Sequence, residues 1–201
     1  KILNYSGIKK GIENTNYLIK SKERKFILTI FEKRVNSRDL PFFMKLMSGL
    51  AKSKIKCPKP VENKKGKYLF KLKGKNACLV TFLEGKDKNN LNSKECFVIG
   101  KNIARLHNSS KKLRIFRKNS LSVNSWGPLL KKISRKINKK FKDLTDNMKT
   151  DYIQIKKLWP KKLPTGIIHG DLFIDNIFFF KGSFYGFIDF YFASNDYYAY
   201  D

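Results

Sequence analysis

The chain has 201 residues, 41% hydrophobic and 30% charged with a mean hydropathy of −0.46, enough for a soluble core in one domain or two small lobes. No apolar run reaches the roughly 18 residues of a membrane span, and Lys1 to Lys10 lacks the apolar region of a signal peptide, so a cytoplasmic protein with no membrane partner is expected. The formal charge of +28 would suit a polyanion, but the lysines are dispersed, and Lys, Asn, Ile and Phe share A- and T-rich codons, so no nucleic-acid partner is expected.

Residues 1–31 read as two or three strands around a glycine-bearing turn, in which Gly7 and Gly11 bracket Ile8, Lys9 and Lys10. Gly11 opens a run through Asn14, Thr15 and Asn16 before a strand from Tyr17 to Lys20. Glycines let backbone amides approach phosphate oxygens and short polar side chains add donors, so this turn is a candidate nucleotide lid; an ordinary hairpin turn would look the same. The β-rich run Phe26 to Phe31 follows and ends at Glu32. In a kinase-like lobe this strand carries a Lys or Arg that holds phosphates, and Thr29 occupies the equivalent alternating position.

A helix is predicted from Asp39 to Lys54, with Asp39 or Asn36 as N-cap, Pro41 in its first turn, and Phe43, Leu46, Met47 and Leu50 facing the core. It contains no glutamate, so both ends of the usual Lys–Glu pair are missing; Glu32, Lys33 or Arg34 are the replacements at hand, each equally readable as a solvated strand end. Pro58 and Pro60 end that segment. Strands Tyr68 to Leu72 and Ala77 to Phe82 flank a turn at Gly74. Thr81, Phe82 and Leu83, with Glu84 and Gly85, then read as a hinge whose backbone meets an adenine edge.

Ser93 is the expected N-cap of a helix running to about His107, where the histidine has a packing or capping role. A basic, irregular stretch leads to Pro128, expected to start a helix with an apolar stripe of Leu130, Ile133, Ile137 and Phe141. Another helix from about Thr145 or Asp151 to Trp159 stops at Pro160. Cys57, Cys78 and Cys96 are an odd number without C-x-x-C spacing, which argues against a disulfide framework and a zinc site and points to buried reduced thiols.

Leu163 to Asp201 carries the chemistry. His169, Asp171, Asn176 and Asp189 form two polar clusters, each after an apolar run that reads as a strand, and Ile177 to Phe180 with Phe184 to Ile188 reads as a hairpin around Gly182. Asp171 and Asn176 have the interval of a kinase catalytic loop. A carboxylate at Asp171 can accept a hydroxyl proton, Asn176 and Asp189 offer Mg²⁺ its hard oxygens, and His169 braces the loop. Any one of these residues alone reads as a loop former. The four together, in this order with two intervening strands, do not.

The segments Gly11 to Tyr17, Leu28 to Glu32, Leu40 to Phe43, His169 to Asn176 and Ile188 to Ala193 resemble the bacterial homoserine kinases of the aminoglycoside phosphotransferase and choline kinase superfamily. The resemblance spans essentially the whole chain, including Thr29 where relatives carry Lys or Arg. It implies an α+β, two-lobed protein-kinase-like fold: a small β-rich N-terminal lobe over 1–80, a hinge at 81–86, and a mostly helical catalytic lobe over 87–201. It implies ATP and Mg²⁺ as cofactors and L-homoserine as acceptor. Asp171 is then the catalytic base, Gly11, Asn14, Thr15, Asn16, Thr81, Phe82 and Leu83 hold the nucleotide, Asn176 and Asp189 hold the metal, and Asp196 and Asp201 are the anions offered to the acceptor's ammonium. The chain starts without Met and stops at Asp201 in what reads as mid-element, so an incomplete catalytic lobe is expected. A kinase for another small alcohol or amine, such as choline or an aminoglycoside, and an inactive nucleotide-binding remnant are the competing expectations.

Overall fold

The computed structural model describes residues 2–9, 14–32, 35–137 and 141–201. Lys10 and Gly11 of the predicted turn, and Lys33 and Arg34, lie outside the described residues. The N-terminal part is one antiparallel sheet built from β1 (Ile2–Ile8), β2 (Asn14–Ser21), β3 (Lys25–Phe31), β4 (Leu69–Leu72) and β5 (Lys75–Thr81), in the order β1-β2-β3-β5-β4. Helix α1 (Leu40–Lys52) joins β3 to the β4–β5 hairpin.

The predicted apolar face of α1 is the one that is buried: Phe43, Leu46, Met47 and Leu50 are sealed from solvent, with Leu40, Phe42 and Met44 beside them. Each such large side chain contributes on the order of 1.5–3 kcal/mol by leaving water. The cluster continues through Cys78 and Val80 of β5 into Ile167, Ile177, Phe179, Phe187 and Phe190 of the C-terminal part. The two halves of the chain therefore share one core.

Beyond the sheet come α2 (Ser93–Ser110), α3 (Val123–Ser134) and α4 (Lys142–Leu158), then two small antiparallel ladders: β6 (Thr165–Ile168) with β9 (Ser194–Tyr197), and β7 (Ile177–Phe180) with β8 (Ser183–Phe187). Among the described residues no helix is long and apolar enough to cross a membrane. Cys57 and Cys78 are buried free thiols, and Cys96 is exposed instead of buried as expected.

Three helix starts differ from the sequence reading. Helix α2 is capped by Asn92, not Ser93, because the Asn92 side chain accepts from Glu95 N while the Glu95 carboxylate accepts from Asn92 N, a reciprocal capping box. Helix α3 begins at Val123 with Pro128 inside it, since the Trp126 indole donates to Leu121 O at 2.7 Å and packs edge-on against Trp159, holding the turns before the proline. Of its expected stripe, Leu130 is buried while Phe141 lies past the helix and half exposed. Helix α4 starts three residues before Thr145, whose hydroxyl donates to Lys142 O.

Candidate active site

The loop after β6 holds Asp171, and a 3-10 turn over Ile174–Asn176 delivers Asn176 to the start of β7. The Asn176 amide nitrogen donates to the backbone oxygen of Asp171 at 2.8 Å and to its Oδ2 at 2.9 Å. Both partners can only accept, which fixes the amide's orientation and turns Oδ1 the other way. From the next strand, Ile188 N donates to Asn176 O at 3.0 Å, so Asp189 follows directly on a strand end tied to Asn176. Asp189 itself adopts a left-handed backbone, φ 61°.

His169 is fully buried beneath this loop. Its Nε2 lies 2.8 Å from Ile188 O, a carbonyl that can only accept, so Nε2 carries the proton, and the buried Nδ1 has no partner among the described residues. Burial pushes the imidazole below its ordinary value despite the nearby Asp201 carboxylate and the Ile188 carbonyl, and it stays neutral. The ring joins the Asp171 side of the loop to the Asp189 side, the bracing role its position in sequence implied.

Asp201 corrects the sequence expectation. Its Oδ2 accepts from His169 N at 2.8 Å and its Oδ1 from Gly170 N at 2.7 Å, while His107 Nε2 sits 2.8 Å from Oδ2. With its side chain only 1% exposed, this carboxylate holds the underside of the loop and cannot reach a substrate ammonium. His107 likewise has a carboxylate partner, 94 residues away in sequence, which no local pattern announced. Gly170, φ 77°, allows the loop to turn here; a Cβ would come within 3.0 Å of Phe192 O. Asp196 lies elsewhere, opposite Gly166 on the far end of the β6–β9 ladder. It accepts from Asn119 Nδ2 at 2.8 Å and lines an open cavity of about 610 Å³ with Lys156, Trp159, Thr165 and Asn195.

The expected nucleotide contacts are only partly brought together. Asn14, Thr15 and Asn16 belong to strand β2 rather than to a loop, because β2 pairs with β3 from Asn14 onward. Thr15 Oγ1 donates to the Glu32 carboxylate, and Thr29 Oγ1 donates to Asn16 Oδ1 at 2.8 Å, so Thr15 and Asn16 are engaged across the sheet. Asn14 Oδ1 is buried with no partner among the described residues. Thr29 is 1% exposed and faces the core, and Glu32 pairs with Lys75 at 2.6 Å. In the segment expected as the hinge, Thr81 N donates to Lys59 O and Phe82 N to Lys25 O. Lys86 then pairs with Phe179 of β7 through two backbone bonds of 3.0 and 2.8 Å, and Gly85 at φ 113° permits that approach.

The donor set suits a divalent cation of the Mg²⁺ type. Among the described residues no cluster of three or more His, Cys, Asp and Glu side chains stands ready to enclose a metal. A single carboxylate plus an amide oxygen is instead the sparse set that Mg²⁺ accepts when water and phosphate oxygens complete its octahedron.

The sequence pattern of the phosphotransferase enzyme family matches residues 4–201. The chain belongs to that family. It is 41% identical over 201 residues to the homoserine kinase of Methylorubrum populi and 42% identical over 201 residues to that of Nitrobacter hamburgensis, in each case along all of this chain. The chain spans 63% and 62% of those relatives' lengths. Among solved structures it superposes on an amicoumacin kinase bound to AMP-PNP and Ca²⁺ with a TM-score of 0.77, at 17% identity, over 97% of this chain and 60% of that one. A spectinomycin phosphotransferase in complex with ADP and spectinomycin gives 0.71 at 16% identity, over 100% of this chain and 67% of that one. The fold is the two-lobed, protein-kinase-like α+β fold of these phosphotransferases.

Proposed function

We propose that the protein is a cytoplasmic homoserine kinase, moving the γ-phosphoryl group of ATP to the side-chain hydroxyl of L-homoserine, a step toward threonine. The observation that carries this reading is 38 to 42% identity to homoserine kinases along the whole chain. Identity to the two antibiotic phosphotransferases named above is 17% and 16%.

In this reading residues 1–80 form the nucleotide lobe, 81–86 the hinge and 87–201 the catalytic lobe. The acceptor oxygen bonds to the γ-phosphorus as the bond from that phosphorus to the β–γ bridging oxygen breaks, ADP departs, and the hydroxyl proton passes to the Asp171 carboxylate. Asn176 holds Asp171 in place through Oδ2. Asn176 Oδ1 and the Asp189 carboxylate are the ligands for Mg²⁺, which when bound offsets the negative charge of the phosphate oxygens. The adenine edge meets the backbone at Leu83, and Asn14, at the start of β2, belongs to the phosphate site. With Asp201 committed to the loop, Asp196 on the cavity wall is the carboxylate we assign to the acceptor's ammonium.

Coupled ADP release measured across L-homoserine, choline, a hexose and an aminoglycoside tests the assignment. Turnover that is selective for homoserine is the expected outcome. Selectivity for another of the four would move the protein to a sister activity, and tight ATP binding with no turnover on any would mark an inactive remnant.

A further inference from the structure

The kinase-like fold ordinarily ties its N-terminal helix to the phosphate site through a Lys–Glu pair, yet α1 has no glutamate and the buried β3 position is Thr29. A different ion pair reaches α1. Asp39 stands at the N-cap of α1 but makes no capping hydrogen bond with its side chain. Its Oδ2 instead accepts from Arg117 Nε at 2.7 Å.

The same guanidinium continues into the loop that follows Asp189. Arg117 Nη1 donates to Ala193 O at 3.0 Å and to Phe192 O at 3.2 Å, and the group lies 5.0 Å from the centre of the Phe43 ring of α1. Its own backbone is held too, since Arg117 N donates to Asn195 Oδ1 and Asn195 N donates to Arg117 O. Between these anchors sits Tyr191, packed edge-on against Phe43 and Phe31, with its hydroxyl 3.7 Å from Cys78 Sγ. The Asp189 loop is thereby gripped from two sides, by the sheet through Tyr191 and by α1 through Arg117.

We infer that Arg117 is a positioning residue which, paired with Asp39, couples the start of α1 to the loop presenting Asp189; this rests on the reading of Asp189 as a metal ligand. The planar fork of arginine meets a carboxylate and two carbonyls at once, whereas lysine, with a single ammonium point, cannot reproduce the set. Only 14% of the Arg117 side chain is exposed, so its removal would leave the Asp39 carboxylate and two backbone carbonyls short of this donor.

The test is the Mg²⁺ dependence of fluorescent ATP-analogue binding, followed in the intact protein for the wild type, Arg117→Lys, Arg117→Met and Asp39→Asn, with Tm recorded for each. Groups that orient metal ligands typically change metal affinity 10- to 100-fold. Both Arg117 variants are therefore expected to raise the Mg²⁺ concentration for half-maximal binding about 10-fold or more. Asp39→Asn should move it in the same direction by less, and the Asp39→Asn, Arg117→Met double variant by less than the product of the single effects. A lowered Tm with unchanged Mg²⁺ dependence would overturn the inference, leaving Arg117 a packing residue. If Arg117→Met does not fold, Arg117→Lys and Asp39→Asn decide the matter alone. A wild type whose nucleotide binding ignores Mg²⁺ would instead sink the reading of Asp189, an outcome distinct from equal Mg²⁺ dependence in wild type and variants.

Discussion

The side-chain amide of Asn176 donates to Oδ2 of Asp171 at 2.9 Å, which makes the proposed base and one proposed metal ligand a single hydrogen-bonded unit. Asn176→Asp tests that unit, because it replaces the donor with a second carboxylate facing the first. Two carboxylates at this distance repel, and one of them is driven to hold a proton. The variant should lose at least about 10²-fold in kcat, with the acid limb of its rate profile moved to higher pH. A pH–rate series over 5–9 reads both effects; an unmoved limb would separate the two side chains functionally.

Asp201 predicts a stability effect. Substituting Asn exchanges one carboxylate oxygen for an NH₂ group that can serve neither backbone amide, leaving a buried donor unpaired, at a cost of about 3 kcal/mol. Chemical denaturation of Asp201→Asn against the wild type measures it, and a loss under about 0.5 kcal/mol would sit within the range of ordinary surface substitutions and deny the carboxylate its bracing role.

The same residue predicts a pH dependence. Burial alone would raise its carboxyl, but His107 and the amides of Gly170 and His169 outweigh that and hold it below the ordinary 3.8. A depressed folded value means the stabilisation is complete above 3.8 and is lost as pH falls through the lower folded value. Burial also holds His169 below its ordinary 6.5, so the unfolded chain takes up a proton first and stability declines as pH drops below 6.5. Unfolding free energy measured from pH 8 to 3 should show both declines, and Asp201→Asn should lack the lower one.

Thiol labelling offers a direct check on the core. Burial pushes Cys57 and Cys78 up to about 12, the latter against a weak opposing contact from Tyr191. At pH 8 about one molecule in 10⁴ would carry either thiolate. Iodoacetamide should label Cys96 alone in the folded protein and all three cysteines in guanidinium, as intact-mass spectrometry would record. Rapid labelling of Cys78 under native conditions would contradict its place against Tyr191.

The sequence made local patterns legible and left distant partnerships hidden. Helix α1, the β7–β8 hairpin and the spacing of Asp171, Asn176 and Asp189 all follow from periodicity, turn residues and intervals within a few dozen residues. The helix starts depart from the sequence pattern where contacts override a local signal, as when Trp126 and Trp159 carry α3 back past Pro128. Asp201 looked like a substrate anion because its partners, the amides at 169 and 170, carry no side-chain signature. Arg117 had none either: 78 residues separate it from Asp39, and a lone Arg in a basic stretch reads as solvated.

Phosphorylation of L-homoserine by the wild type and by Asp171→Asn, followed by ³¹P NMR with ATP and Mg²⁺, tests the central claim most directly. The account predicts O-phosphohomoserine from the wild type, and a rate about 10²- to 10⁴-fold lower from the variant with its nucleotide affinity kept. Equal rates from the two proteins would contradict it.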